Sequence, residues 1–335
     1  MGSSVPAHLR NAPGFIQNLL QVKTFGIDRY VERGYTHVES LKFDWRSHVA
    51  NREARAAFRA HRPVLDSVQN RVVSQLMESG VAVLPVSEFL TDLNPWNDLQ
   101  RLMDEWVGSE EVRQHVANYQ TRPDRQWKEY LARMYHPEKI VTLEDPWLRF
   151  GLSSRIIDVA NSYLGLMSKF IFMDVWNTIP LAQHDQVSTG SQLWHRDPED
   201  RRMIKVFLYF SDVDQTAGPM HYIPHSRRGD KYGRLWQRVP PFGGRPAGDE
   251  ELESKIPRSD WKVLTCPKGT MVFADTSALH MGGRATEKSR LVAIWAFTGH
   301  ACTRPLNFLL NLPEKKESVP LTTQFACYSW NRGRK

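Results

Sequence analysis

His195 and Asp197, with Arg196 between them, are the residues whose types and spacing point most directly to chemistry. In an extended segment residues i and i+2 share a face, so an imidazole and a carboxylate placed this way can grip one metal ion. The pair alone is a weak signal, because a chain with 12 His shows an HxD by chance about every second time. His37/Glu39 and His136/Glu138 are background pairs of this sort, both in the helix-rich half.

His280 adds weight. It follows Thr270–Asp275, which reads as a strand after the turn Pro267-Lys268-Gly269. Two imidazoles and one carboxylate make the facial set of non-haem Fe(II) oxygenases, which leaves coordination positions open for a bidentate 2-oxo acid and for O₂. Arg290 lies ten residues beyond His280, at the start of RLVAIWAF. A return through Gly282-Gly283 would set it beside His280 as a fork for the distal carboxylate of such a co-substrate. Arg284 competes for that role, but falls in the expected turn.

The elements that must position these residues divide the chain in two. Residues 1–165 read as mostly helical. Apolar side chains have helical spacing from Phe15 to Val22 and from Val64 to Met77, and Trp45 to His61 is rich in Ala and Arg. Ser79-Gly80 ends the last of these, and 81–85 then reads as a short buried strand. Further helices are expected near 94–107 and 124–134, and from Pro146 to Leu164 with Gly165 as the stop. Residues 166–335 change character. Lys169–Pro180, Met203–Val213, Met220–Pro224, Trp261–Leu264, Thr270–Asp275 and Arg290–Thr298 are rich in β-branched and aromatic residues between Gly/Pro turns. This predicts a mainly β core with α, an antiparallel barrel or jelly roll packed by the N-terminal helices in one integrated domain. The HxD pair then sits at the barrel mouth. The insertion at about 227–260, partly helical and then Gly/Pro-rich, reads as a lid or binding loop.

Composition narrows the class. Of 335 residues, 41% are hydrophobic and 24% charged, an ordinary globular balance. The net charge of +7 is spread along the chain and interleaved with acids, so it marks a solvated surface rather than a nucleic-acid-binding arm. Cys266, Cys302 and Cys327 are odd in number and far apart, which fits buried thiols in a reducing compartment. No apolar run is long enough to span a bilayer, and the N-terminus lacks the apolar core of a signal peptide. A cytoplasmic enzyme is the expectation.

Two segments, LWHRDPEDRRMIKVFLYFSDVDQTAGPMHYIPHSRRG over 193–229 and PKGTMVFADTSALHMGGRATEKSRLVAIWAF over 267–297, closely resemble the phytanoyl-CoA dioxygenase (PhyH-like) family. The resemblance implies a double-stranded β-helix, a jelly roll, that uses Fe(II), 2-oxoglutarate and O₂. By position it makes His195, Asp197 and His280 the iron ligands, Arg290 the 2-oxoglutarate clamp and Tyr209 a contact to the co-substrate, with Asn177 a further contact of that kind. Two positions depart from the pattern: His225 stands where Gly is usual, and Met281-Gly282 after the distal His offers no side-chain hydrogen bond. Asp197 fills the position that related halogenases leave vacant for chloride, which favours hydroxylation. The expected activity is therefore a 2-oxoglutarate-dependent dioxygenase that hydroxylates, or otherwise oxidises, an unactivated C–H of a small molecule and releases succinate and CO₂. The alternatives are an oxygenase of the same fold acting on nucleic acid or protein, and a non-catalytic jelly-roll binding module. No nucleic-acid partner is expected. His221 and His225 read as structural, and His184 and Asp185 as lining the entrance. Arg201, Arg202 and Lys205 read as solvated or near the co-substrate, with an anionic substrate as an additional reading.

Overall fold

Apolar runs of the second half fold as strands, and their register determines where the site lies. The computed structural model describes residues 38, 41–122, 128–182, 188, 190–236, 238–239, 242–243, 246 and 248–328. Its strands are β1 (Val81–Pro85), β2 (Leu131–Arg133), β3 (Ile140–Val141), β4 (Lys169–Thr178), β5 (Ile204–Tyr209), β6 (Met220–Tyr222), β7 (Arg238–Val239), β8 (Phe242–Gly243), β9 (Lys262–Leu264), β10 (Thr270–Ala274), β11 (His280–Gly282), β12 (Arg290–Thr298) and β13 (Leu309–Leu310). A six-stranded antiparallel sheet runs β1-β10-β5-β12-β4-β2, and a three-stranded antiparallel sheet runs β11-β6-β9. β3 and β13 form a parallel pair, and β7 and β8 an antiparallel one. β1 and β2 come from the first 165 residues, so both halves of the chain build the larger sheet.

Strand alternation gives that sheet two faces. Phe170, Met173, Val175, Val206, Leu208, Met271, Phe273, Ala293, Trp295 and Phe297 lie on one face, in a core shared with Leu76, Phe89, Leu99, Met103, Ile156, Ile157 and Val159 of the helices. The other face carries Phe172, Tyr209, Val272, Ala274, Val292, Ile294 and Ala296 toward Met220, Tyr222 and Leu264 of the smaller sheet. A third cluster joins Trp194, Ile223, Leu279, Tyr232, Leu252 and Ile256, which fastens the insertion onto the outside of the smaller sheet.

The helices follow local signals. Ser67–Ser79 opens with a capping box, Asp66 accepting from the Gln69 amide at 2.8 Å while the Gln69 side chain accepts from the Asp66 amide at 3.1 Å. It closes at Gly80, whose φ of 84° is left-handed, and β1 follows at once. Asn94–Val107 is the helix expected there. Two expectations need correction, and one helix was not foreseen. The segment 124–134 holds strand β2, which pairs with β4, rather than a continuous helix. Glu110–Thr121 is a helix that spacing did not reveal, because only Val112 of it is buried. The helix over 146–164 is two, Pro146–Gly151 and Ser154–Leu164. Gly151 ends the first where a Cβ would stand 2.1 Å from Cδ1 of Trp295. The expected helix at Phe15 to Val22, and His184 and Asp185, lie outside the described residues. No helix among the described residues is long and apolar enough to cross a membrane. Cys302 and Cys327 are buried, Cys266 is half-buried, and all three are free thiols.

Candidate active site

The backbone brings the HxD pair to His280. The His195 amide donates to the His280 carbonyl at 2.9 Å, and the His280 amide donates to the His195 carbonyl at 3.0 Å. This exchange places the two residues opposite each other at the mouth of the sheets, with ring centroids 4.2 Å apart. The Asp197 amide bonds to the Thr276 carbonyl at 2.8 Å, which keeps the segment extended and returns Asp197 to the face of His195. One donor atom from each of His195, Asp197 and His280 lies within 4.8 Å of the others. Nε2 of His195 is 3.7 Å from Oδ1 of Asp197, and Nε2 of His280 is 3.8 Å from Oδ2. Ligands about 2.1 Å from a shared ion cannot be more than about 4.2 Å apart, and the two His–Asp distances, one to each carboxylate oxygen, meet that limit.

The tautomers suit a metal as well. Nδ1 of His195 is 2.7 Å from the Leu193 carbonyl, and Nδ1 of His280 is 3.0 Å from the Ala278 carbonyl. A carbonyl only accepts, so both Nδ1 atoms carry the proton and both Nε2 lone pairs face Asp197. Burial, with His195 adding to it and Asp197 opposing, pushes His280 down to about 3, so this imidazole is neutral at ordinary pH. Burial disfavours the Asp197 charge, but Lys205 and the two histidines overcome it and hold the carboxyl well below its usual range. Lys205 reaches in from β5, its Nζ 2.6 Å from Oδ2 of Asp197, with Ala274 and Ala296 as its neighbours on the adjoining strands. Those two small side chains leave room for its stem.

Arg196 turns the other way. Its guanidinium donates to the carbonyls of Ser226, Ser277 at 2.9 Å, Leu235 at 2.9 Å, Tyr232 at 3.4 Å and Trp236 at 3.1 Å. Burial lowers its pKa to about 10. Arg196 thereby ties the loop that bears His195 and Asp197 to the insertion. His225, in place of the usual Gly, has φ of 55°, so the turn keeps the left-handed form that Gly would take.

Arg290 sits on the same inner face, opposite Thr178 on β4. It is 7% exposed, yet among the described residues no carboxylate pairs with it. One Nη donates to the Gly218 carbonyl, the other to Oγ1 of Thr178 at 3.4 Å, and Nε has no partner. A Cβ on Gly282 would stand 3.6 Å from Nη2, so the missing side chain leaves space beside the guanidinium. Tyr209 and Tyr130 both feel the Arg290 charge, and the Tyr130 hydroxyl lies 3.0 Å from Oγ of Ser191. A buried guanidinium with an unmet donor calls for an anion, and a carboxylate from 2-oxoglutarate supplies one. Arg284 instead lines a cavity of about 470 Å³ with Trp194, Asp249 and Met281.

A profile of the family described as phytanoyl-CoA dioxygenase (PhyH) matches residues 32–292. The chain belongs to the phytanoyl-CoA dioxygenase family. Solved structures similar to it include EctD from S. alaskensis with 2-oxoglutarate and 5-hydroxyectoine (16% identity, 71% of this chain, 79% of that one, TM-score 0.45). Others are the non-heme α-ketoglutarate-dependent epimerase SnoN from nogalamycin biosynthesis (15% identity, 70% and 84%, 0.44) and EvdO2 from Micromonospora carbonacea var. aurantiaca (15% identity, 71% and 92%, 0.43). No curated protein matches the chain in sequence. As a phytanoyl-CoA dioxygenase family member the protein is an iron- and 2-oxoglutarate-dependent oxygenase, and its His-Asp-His donor set and Arg290 recess fit those two groups.

The remaining candidate residues of this family member divide between the two faces of the sheet and its surroundings. Asn177 pairs with Leu291 on the helix-covered face, away from Arg290, which removes it as a co-substrate contact. Arg201 pairs with Asp44 at 3.1 Å, and Arg202 lies over the ring of Tyr163, so neither faces the metal donors. His221 faces outward against Trp194, with centroids 6.1 Å apart. Lys205 does enter the site. Its parity with Tyr209 on β5 was the available signal.

Proposed function

We propose that this protein is a double-stranded β-helix dioxygenase that hydroxylates, or otherwise oxidises, an unactivated C–H of a small molecule, within one integrated domain. The observation that carries the reading is the buried Arg290, with no carboxylate partner among the described residues, on the same face of the six-stranded sheet from which Lys205 reaches the His195, Asp197 and His280 donor set. In this reading the six- and three-stranded sheets are the two halves of the jelly roll. His195, Asp197 and His280 hold the iron, Arg290 takes the distal carboxylate of 2-oxoglutarate, and Tyr209 lines that recess. When bound, iron and 2-oxoglutarate supply the oxidising chemistry, with O₂ consumed and succinate and CO₂ released.

The chain's own contribution is arrangement. Leu193 and Ala278 carbonyls hold the two imidazoles in the tautomer that offers Nε2. Gly218 and Thr178 orient the Arg290 fork. The apolar inner residues Val292, Ile294 and Val272 keep water from the reacting groups. Asp197 occupies the third ligand position, which supports hydroxylation over halogenation.

The test is succinate formation from 2-oxoglutarate by protein loaded anaerobically with Fe(II) and then exposed to air. Release should require iron. His195→Ala and Asp197→Ala should lose bound iron and succinate release together. Protein that binds no iron under these conditions, or releases succinate equally well after either substitution, is not this enzyme.

A further inference from the structure

The chain between β10 and β11, residues 275–279, registers all three metal donors. The Asp197 amide donates to the Thr276 carbonyl at 2.8 Å, and Nδ1 of His280 donates to the Ala278 carbonyl at 3.0 Å. His195 takes its place from His280 through their exchanged backbone bonds. A displacement of 275–279 therefore moves His195, Asp197 and His280 relative to one another. Whatever fixes this segment sets the geometry of the centre without touching it.

Asp275 opens the segment and is 1% exposed. Its Oδ1 accepts from the Ser277 amide at 2.9 Å, which folds the segment into an Asx turn. The same oxygen accepts from the Met203 amide at 3.4 Å, just before β5. Oδ2 accepts from the Tyr163 hydroxyl at 2.5 Å, and Tyr163 stands on the helix Ser154–Leu164. Arg227 donates to that hydroxyl at 3.3 Å and is itself held by the Met77 and Glu78 carbonyls, at 2.9 and 3.1 Å, and by Asp230 at 2.7 Å. The backbone of Asp275 is fixed too. Its amide donates to the Gly80 carbonyl at 2.8 Å, and its carbonyl accepts from the Tyr222 hydroxyl at 3.0 Å. A Cβ on Gly80 would stand 2.3 Å from that hydroxyl, so this close approach requires glycine.

Both oxygens of Asp275 are thus engaged by its neighbours and neither by a metal donor. A carboxylate buried this completely is kept at a desolvation cost, and a bonded network of this kind fixes one arrangement of the chain. Resting on the function proposed above, we propose that Asp275 is a positioning residue for the iron centre. Through Ser277, Met203 and Tyr163 it sets the 275–279 segment, and with it the spacing of His195, Asp197 and His280. Tyr163 and Gly80 belong to the N-terminal half of the chain, so the helices act on the centre by this route.

Anaerobic Fe(II) titration in the presence of 2-oxoglutarate reads the donor set through two signals, the affinity and the charge-transfer absorption of the bound pair. Asp275→Ala should weaken Fe(II) binding about 10–100-fold and shift that absorption. Asp275→Asn keeps one oxygen for the Ser277 amide and should recover most of the affinity. Tyr163→Phe removes a single hydrogen bond and should cost about three- to ten-fold. Trp295→Ala, on the helix-covered face, controls for lost stability: its urea midpoint should fall while affinity and absorption stay as in wild type. Wild-type protein that binds no Fe(II) overturns the oxygenase reading. With normal wild-type binding, this inference alone is overturned if folded Asp275→Ala matches wild type in both signals, or if Trp295→Ala loses as much affinity as Asp275→Ala does. Should Asp275→Ala not fold, Tyr163→Phe decides, and wild-type affinity and absorption in that variant overturn the inference.

Discussion

The two faces of the six-stranded sheet are made by the same strands and do opposite work. On β12, Leu291, Ala293, Trp295 and Phe297 enter the helix-covered core, while Arg290, Val292, Ile294 and Ala296 face the smaller sheet. On β5, Val206 and Leu208 go to the core, and Lys205 and Tyr209 go to the site. The covered face is apolar and closely filled. The inner face mixes apolar residues with the half-buried Lys205 ammonium, paired with Asp197, and the buried Arg290 guanidinium, which pairs with no carboxylate among the described residues. Strand alternation thus separates stability from chemistry at single-residue spacing, and each face should be open to change without the other.

The largest test of that separation is Trp295→Ala. Trp295 is fully buried on the covered face, packs on Phe150 with centroids 5.2 Å apart, and donates its indole N–H to the Trp147 carbonyl at 2.8 Å. Truncation removes that packing and that hydrogen bond, which should destabilise the fold by about 3–5 kcal/mol. Denaturant unfolding should show the loss, while the protein that remains folded takes up iron as before. Iron affinity falling in parallel with stability would mean that the two faces are coupled through β12.

How far the sequence revealed this division varies along the chain. The apolar runs of the second half became β4, β5, β6, β9, β10 and β12, and the longer of them, β4, β5, β10 and β12, were the most legible, because a strand largely covered on both faces needs little beyond its own composition to be recognised. The HxD spacing and His280 were legible for a related reason: i and i+2 geometry is local, and a bulky strand stands beside each, β5 after the HxD pair and β10 before His280. β2 was not legible. Its three residues make sense only through pairing with β4, more than forty positions away. β11 begins on His280 itself and is equally short, so its pairing with β6 left no pattern to read. Arg196 shows the limit most clearly, since its partners are backbone carbonyls, which carry no residue identity.

Arg196 also sharpens the comparison at the smallest scale, because it stands between two residues that face the metal position while it faces the insertion. Arg196→Met keeps the apolar stem and removes every donor to the carbonyls of 226–236 and Ser277. The loop bearing His195 and Asp197 then loses its tie, and iron affinity should fall about 10–100-fold, measured by anaerobic Fe(II) titration. Arg196→Lys should recover part of it. Unchanged affinity would show that pairing with β11 alone fixes the ligands.

The smallest expected effect concerns the strain of holding carboxylates near this site. Asp200 accepts from the Arg201 amide at 2.7 Å and the Gly299 amide at 2.9 Å, but burial outweighs both and pushes its pKa up from 3.8 to about 6. The fold therefore favours the protonated form. Its contribution to stability is complete below 3.8 and fades as pH rises through about 6, so the native state holds an unfavourable charge at neutral pH. Asp200→Asn removes the charge but keeps only one of the two acceptor oxygens, at a cost that does not depend on pH. Its stability relative to wild type should therefore be roughly 1–2 kcal/mol more favourable at about pH 8 than below about pH 4. Urea midpoints for both proteins across this range measure the difference. A difference that stays constant with pH would assign it to packing and hydrogen bonding rather than to the buried charge.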